Sequence, residues 1–284
     1  MYYKPRTPQV NLMMGSAFHA GAADFLRGRP MVRCEKSIQE DWDKNLSNSF
    51  ISGPQEKRIE IAKVTCLGAF RGWAQVCPLE GLDIVQVEDF YEIKLDEGLY
   101  INGTIDAVVK GETAGTIVVV DHKFTGQLQN YDPALLPLDA QAMCYPFGLS
   151  QKYGRQVRKF TLDLVRKPSI SQRQGETYVE FLDRLVNDYT DRPDFYFVQR
   201  SALYNMRHLD LFRAEITQFM RELRDKIIAV KSGTRAMHEL FGRNGDYCNR
   251  YGRCLYAPLC IRGETVLTRR MYDQRKDVYD LDHE

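Results

Sequence analysis

The stretch Tyr100–Gly126, which reads YINGTIDAVVKGETAGTIVVVDHKFTG, decides how the rest of the chain is understood. Two β-type runs, Tyr100–Val109 and Thr116–Lys123, flank the Gly-bounded loop Gly111-Glu112-Thr113-Ala114-Gly115. That pattern predicts a β-hairpin. The midpoint of positions 106 and 121 is 113.5, in the middle of the loop, so Asp106 and Asp121 are expected to lie nearly opposite each other. Directly opposed residues share a face, and Lys123, two residues after Asp121, returns to it. Two carboxylates and one ammonium group are thereby gathered at one end of a hydrophobic hairpin.

Carboxylates buried beside Val118–Val120 need a compensating cation, and like charges opposed across a strand pair are unfavourable. A divalent metal answers both needs, because hard cations prefer carboxylate oxygen. A salt bridge between Lys123 and one aspartate on a solvated face is the other answer. The hairpin alone leaves both open.

Upstream, Gly15-Ser16-Ala17-Phe18-His19 opens a helix towards Phe25 and Leu26, ended by Gly28-Arg29-Pro30. His19 falls at the border of its apolar face, where a histidine is either structural or a ligand. Ser37–Phe50 is polar and weakly periodic, a helix or a connection, whereas Gln55–Val76 has a helical pattern. Ile84–Leu95 alternates as a strand leading into the hairpin, and its Glu88 and Glu92 read as solvated strand positions. Downstream a helix begins near Asp139. Gln141 and Tyr145 share one of its faces, and Pro146 predicts a kink at Tyr145. Phe160–Val165 and Phe195–Leu203 read as strands, Glu176–Tyr189 and Leu209–Val230 as amphipathic helices. The succession predicts a mixed α/β domain with helices packed on a central sheet.

Composition narrows the classes. The 284 residues are 44% hydrophobic and 27% charged with a formal net charge of +1, so contact with nucleic acid needs locally segregated basic groups. Lys152, Arg155, Arg158, Lys159, Arg166, Lys167 and Arg173 form such a stretch, interrupted by one acid, Asp163. No apolar run approaches the roughly 20 residues of a membrane span. The opening MYYKPRTPQV lacks the apolar core of a signal peptide, so a cytoplasmic location is expected, in a host cell if the protein is phage-encoded. There are no repeats and no Gly-rich phosphate loop. Seven cysteines without a secretory signal indicate thiols or cofactor ligands, not a disulfide framework. Cys248, Cys254 and Cys260 recur every six residues in NGDYCNRYGRCLYAPLC, a spacing suited to thiolate ligation of zinc or an iron–sulfur cluster. Candidates for a fourth ligand are Cys34, Cys66, Cys77 and Cys144.

Taken in order, Gly15–His19, Gly103-Thr104-Ile105-Asp106, Val120-Asp121-His122-Lys123-Phe124-Thr125-Gly126 and Gln141-x-x-x-Tyr145 resemble the RecB-like branch of the PD-(D/E)XK nucleases. The trailing cysteines resemble its iron–sulfur members, including AddB-type, CRISPR-associated and phage exonucleases. The resemblance implies a restriction-endonuclease-like mixed central sheet flanked by helices, with a nuclease domain at 1–240, a Cys-rich segment at 241–264 and a charged tail at 265–284. It implies Mg²⁺ or Mn²⁺ held by His19, Asp106, Asp121 and the backbone carbonyl of His122, whose side chain points to the opposite face. It also implies that Lys123 orients or activates the attacking water, while Gln141 and Tyr145 position the scissile strand. The substrate implied by the resemblance is DNA, single-stranded or at a duplex end, with a helicase or recombination partner expected to supply any unwinding. The alternative is a catalytically silent DNA-binding or scaffold subunit of the same fold. Cys248, Cys254 and Cys260 are expected to hold a [4Fe–4S] cluster in preference to zinc, with Cys34 as candidate fourth ligand. In the iron–sulfur members the first cysteine precedes the histidine motif. The eighteen residues before His19 contain none, which implies a truncated or divergent N-terminus.

Overall fold

The computed structural model describes residues 3–5, 9–47, 51, 53–77, 79, 81–113, 115–154, 157–242, 245–248 and 254–274. Phe50, Arg155 and the tail beyond residue 274 lie outside these residues. In chain order the elements are β1 (Tyr3–Pro5), α1 (Val10–Leu26), α2 (Met31–Leu46), α3 (Gly53–Val76), β2 (Ile84–Asp96), β3 (Leu99–Lys110) and β4 (Ile117–Thr125). Then follow α4 (Ala140–Tyr153), β5 (Val157–Arg166), α5 (Tyr178–Asp191), the single turn α6 (Pro193–Tyr196), β6 (Phe197–Leu203) and α7 (Met206–Lys231). A short β7 (Tyr272–Gln274) pairs with β1. That strand lies within the stretch expected to be a charged tail, and its Tyr272 ring is buried and stacked on Tyr256.

The central sheet has the order β2-β3-β4-β5-β6, with β4 and β5 parallel and every other pair antiparallel. This is the mixed sheet expected from the sequence. Helices α1, α2, α3 and α5 share one core with one face of the sheet, where Phe18, Trp42, Phe70, Trp73 and Tyr189 are buried. Helices α4 and α7 cover the other face through Tyr145, Phe147, Leu149 and Phe212. The pleat of β4 serves both layers: Val119 enters the α4 side and Val120 the α1–α3 side, as period-two alternation requires.

One expectation is corrected here. Ser37–Phe50 is not where α2 begins; the helix starts at Met31, directly after Pro30, so Cys34, Ile38 and Trp42 fall four residues apart on its buried face. Helix α4 carries Pro146 in its interior. The helix is continuous from Ala140 to Tyr153, started by the Asp139 carboxylate, which accepts a hydrogen bond from the Ala142 amide at 2.8 Å.

Candidate active site

Everything about the site follows from how the hairpin stops. The ladder pairs Lys110 with Ile117, Val109 with Val118, Val108 with Val119 and Ala107 with Val120. Continuing that register sets Asp106 against Asp121, as the loop arithmetic predicted. The ladder ends one pair short of them, however. Beyond Ala107, β3 stays with β2, while β4 continues alongside β5 through Thr125. The split strips the His122 amide of its strand partner, and the carboxylate of Asp106 takes its place: the His122 N–H donates to Asp106 Oδ2 at 2.7 Å. Asp106 is therefore fixed by the backbone of the neighbouring strand.

The second oxygen of Asp106 faces α1, and His19 Nδ1 lies 3.3 Å from Oδ1. Burial works against a charged ring at His19, but the hydrogen bond and charge of Asp106 outweigh it, and the net effect raises its pKa. For Asp106 burial alone pushes the carboxyl up, yet His19 and the His122 amide hold it below the usual carboxylate range. Asp121 goes the other way. It is 1% exposed, and burial together with the charge of Asp106 raises it. Two neighbouring carboxylates pushed apart in this manner mark a strongly negative pocket, which invites a cation.

Lys123 supplies part of that charge. Its Nζ lies 2.8 Å from Asp121 Oδ2, and although burial disfavours the ammonium, Asp121 keeps its pKa above the ordinary value. The expected alternative of a Lys–Asp salt bridge is thus present, but on a buried face and not a solvated one. Gln141 and Tyr145 come to the same side. Gln141 Nε2 donates to the Tyr145 hydroxyl at 2.7 Å. Burial, followed by the charge of Asp121, raises the Tyr145 phenol, so it stays protonated.

The His122 side chain points to the opposite face, as expected. It is buried, with Nδ1 2.8 Å from Asp163 Oδ2. The Trp73 indole N–H donates to that same oxygen at 2.9 Å.

Sequence reasoning overlooked Glu88. In β2, Val87 faces Ala107 and Asp89 faces Ile105, which sets Glu88 across from Asp106. Glu88 is the one non-glycine residue among those described with a positive φ, 54°. It keeps its place in the alternation of β2, but α1 packs against the strand there, so it is half-buried and not solvated. It lines a groove of about 580 Å³ together with His19 and Asp106, and burial followed by Asp106 raises its pKa. Glu92, four residues on, is exposed as expected.

The donor set suits a hard divalent cation: His19 and the oxygens of Asp106, Asp121 and Glu88. Among the described residues no three His, Cys, Asp or Glu side chains form a ready-made cage. Here His19 leans on Asp106 and Lys123 on Asp121, pairings that a bound cation competes with. The cysteine set is not assembled. Cys248 and Cys254 are linked through the backbone, the Cys254 N–H donating to the Cys248 carbonyl at 2.8 Å, and Cys260 is exposed on the short helix Ala257–Arg262. Cys34 is buried in the α1–α3 core, where its thiol reaches the Arg29 carbonyl, so it does not join them.

The basic stretch does not form one track. Lys152, on α4, is engaged by Asp89 at 2.6 Å. Arg166 and Lys167, at the far end of β5, lie over the rings of Phe195 and Phe124. Ten residues of strand, on the order of 30 Å, separate the two groups.

A mixed sheet that splits beside two carboxylates and a lysine, with helices on both faces, defines a restriction-endonuclease-like α/β fold. The PD-(D/E)XK nuclease superfamily matches residues 3–261, nearly the whole chain, and the protein belongs to that superfamily. Its members are typically metal-dependent nucleases, which makes this chain a nuclease at that level of description. No curated protein matches the chain. Among the described residues no helix is long and apolar enough to cross a membrane.

Proposed function

We propose that the protein is a Mg²⁺- or Mn²⁺-dependent deoxyribonuclease of the RecB-like branch, acting on strand ends in recombination, repair or phage DNA metabolism. The observation that carries this reading is the sheet split, which presents Asp106 and Asp121 side by side, with Lys123 on one flank and His19 on the other. In this proposal His19, Asp106, Asp121 and the His122 carbonyl hold the cation, with Glu88 as a further carboxylate. When bound, the cation supplies Lewis acidity and makes a hydroxide nucleophile accessible near neutral pH. Lys123, held protonated by Asp121, acts as a fixed positive charge and hydrogen-bond donor for the phosphate oxygens, not as a base. The Tyr145 phenol accepts from Gln141 and keeps its own proton to donate towards the scissile strand.

The proposal extends to Cys248, Cys254 and Cys260 as thiolate ligands of a [4Fe–4S] cluster, with Cys34 left as a core thiol and the fourth position supplied by another group. Anaerobic purification with absorption spectroscopy and metal analysis tests this. A colourless protein, with zinc or without metal, defeats it.

Incubating labelled single- and double-stranded DNA with the protein and Mg²⁺ or Mn²⁺ tests the nuclease reading. Wild type is expected to cut, while Asp121→Ala and Lys123→Ala fall by at least the roughly 10²–10³-fold typical of losing one electrostatic group. Glu88→Gln is expected to raise the Mn²⁺ concentration needed for half-maximal cleavage. No cleavage by wild type, or equal cleavage by the variants, defeats the proposal and favours a silent DNA-binding subunit.

A further inference from the structure

Between β4 and α4 the chain makes two 3₁₀ turns, Leu128–Asn130 and Pro133–Leu138. Over the sheet they enclose a cavity of about 730 Å³ that opens beside Lys123 and Gln141. We infer that this cavity receives an unpaired nucleobase next to the scissile phosphate, so that single-stranded or frayed ends are the preferred substrate. The inference rests on the nuclease reading above and names the form of DNA that site takes.

Three observations lead to it. The first is charge. Lys123 is the one cation lining the cavity, whereas Asp132 and Asp139 both line it. Their carboxylates already cap the amides of Ala134 at 2.9 Å and Ala142 at 2.8 Å, which holds them in place. A phosphate going deeper than Lys123 meets two negative charges. A neutral planar ring does not.

The second is surface chemistry. Phe160 and Leu162 of β5 lie on the same sheet face as Asp121, which is paired in register with Leu162, and they line the cavity. Leu135 and Leu138, also lining it, are 57% and 81% exposed, large apolar groups left facing water. The half-buried Tyr131 ring stands among them. An aromatic ring beside aliphatic groups, with the side-chain amides of Gln127 and Asn130 nearby, suits a base that stacks through its face and hydrogen-bonds through its edge.

The third is size and position. The volume lies within the roughly 300–1,000 Å³ of small-molecule sites. Because Lys123 lines the cavity, a base attached to a phosphate held there lies next to it. A base stacked and paired inside a duplex cannot enter without being extruded, which takes energy that a strand end or a frayed terminus does not require.

The test uses a short single strand with 2-aminopurine at its terminal position and the same strand in a blunt duplex, each titrated into the full chain in EDTA so that binding is read without cleavage. Wild type is expected to quench the single-strand probe and to bind it more tightly than the duplex. Tyr131→Ala and the exposed-site variant Leu135→Ser are each expected to weaken single-strand binding by roughly 5- to 100-fold, with Tyr131→Trp retaining it. Thermal melting checks that each variant is folded. Equal affinities for single strand and blunt duplex, or wild-type binding by both Tyr131→Ala and Leu135→Ser, overturn the inference. A separate Mn²⁺ cleavage assay keeps the two readings apart. Quenching without any cleavage defeats the nuclease reading and leaves a base-binding site; cleavage with unaltered binding in both variants defeats the cavity and leaves the nuclease.

Discussion

Two buried side-chain pairs sit back to back on β4 and β5, and they do opposite things. On one face Asp121 pairs with Lys123 of the same strand; on the other His122 of β4 pairs with Asp163, its register partner on β5. Both aspartates are almost completely buried. The difference lies in the partner and in what surrounds it. The Lys123 side chain is 23% exposed and opens on a cavity, while that of His122 is 2% exposed and wedged against Trp73. The Asp163 oxygen that meets His122 also accepts from Trp73, which ties α3, β4 and β5 at one atom. Asp121 has no such third element and instead shares its field with Asp106 and His19. A sealed pair with an added donor holds layers together; an open pair beside a second carboxylate keeps its charge available for ligands.

The largest separation between the two pairs is expected in activity. Asp121→Asn and Lys123→Ala should lose cleavage by two to three orders of magnitude or more, yet metal-free Asp121→Asn should melt no lower than wild type, because removing a charge from beside Asp106 relieves repulsion. A fall of several degrees in its melting temperature would show that the open pair is structural as well.

Stability should respond in the reverse order. Asp163→Ala leaves His122 and Trp73 without their acceptor and is expected to destabilise by about 3–5 kcal/mol, the usual effect of breaking a buried pair. At roughly 2–4 °C per kcal/mol for a chain of this size, the melting temperature drops by about ten degrees. Replacing both members with apolar groups, as in His122→Phe with Asp163→Leu, should recover most of the loss. If the double variant is worse than Asp163→Ala, the pair has a role beyond packing.

How legible these two pairs are in the sequence differs for a physical reason. Asp121 and Lys123 could be placed because a hairpin is local: loop length fixes register, and register fixes face. Asp163 is forty residues away and looked like the lone acid of a basic stretch, and only the parallel β4–β5 pairing brings it under His122. Glu88 differs for another reason: it obeys the period-two rule, but α1, distant in sequence, covers the strand face it points to and turns a solvated position into part of the groove. The order of helices and strands was recoverable because long amphipathic segments carry their own periodicity. Helix starts were less so: α2 was read from Ser37 because its first buried residue, Cys34, lies before the polar run.

A smaller effect comes from the layer that positions Trp73. Gly72 packs against α5 so closely that a Cβ there falls 2.3 Å from the Cβ of Tyr189, a residue that is fully buried and whose hydroxyl donates to the Arg166 carbonyl. Gly72→Ala is expected to destabilise by about 1–3 kcal/mol through overpacking, seen as a lower urea midpoint. Cleavage per folded molecule should change little. A loss of activity larger than the loss of folded protein would mean that the sealed face transmits strain to Asp106 through the His122 backbone.

The smallest effect belongs to a pair outside both faces. Glu176 accepts from Arg184 and from the Arg173 amide, and these contacts, Arg184 foremost, hold its carboxyl down at about 2 instead of the ordinary 4.5. A carboxyl whose pKa is lower in the folded state binds fewer protons there than when unfolded. Its contribution is therefore complete above about 4.5 and lost as the pH falls towards about 2. Melting curves of wild type and Glu176→Gln should differ at neutral pH and converge across that window. Because Arg184 remains partly in solvent, salt should shrink the difference, whereas the Asp163→Ala defect, shielded from ions, should stay the same. Equal salt sensitivity of the two defects would mean that the His122–Asp163 face is less sealed than its geometry indicates.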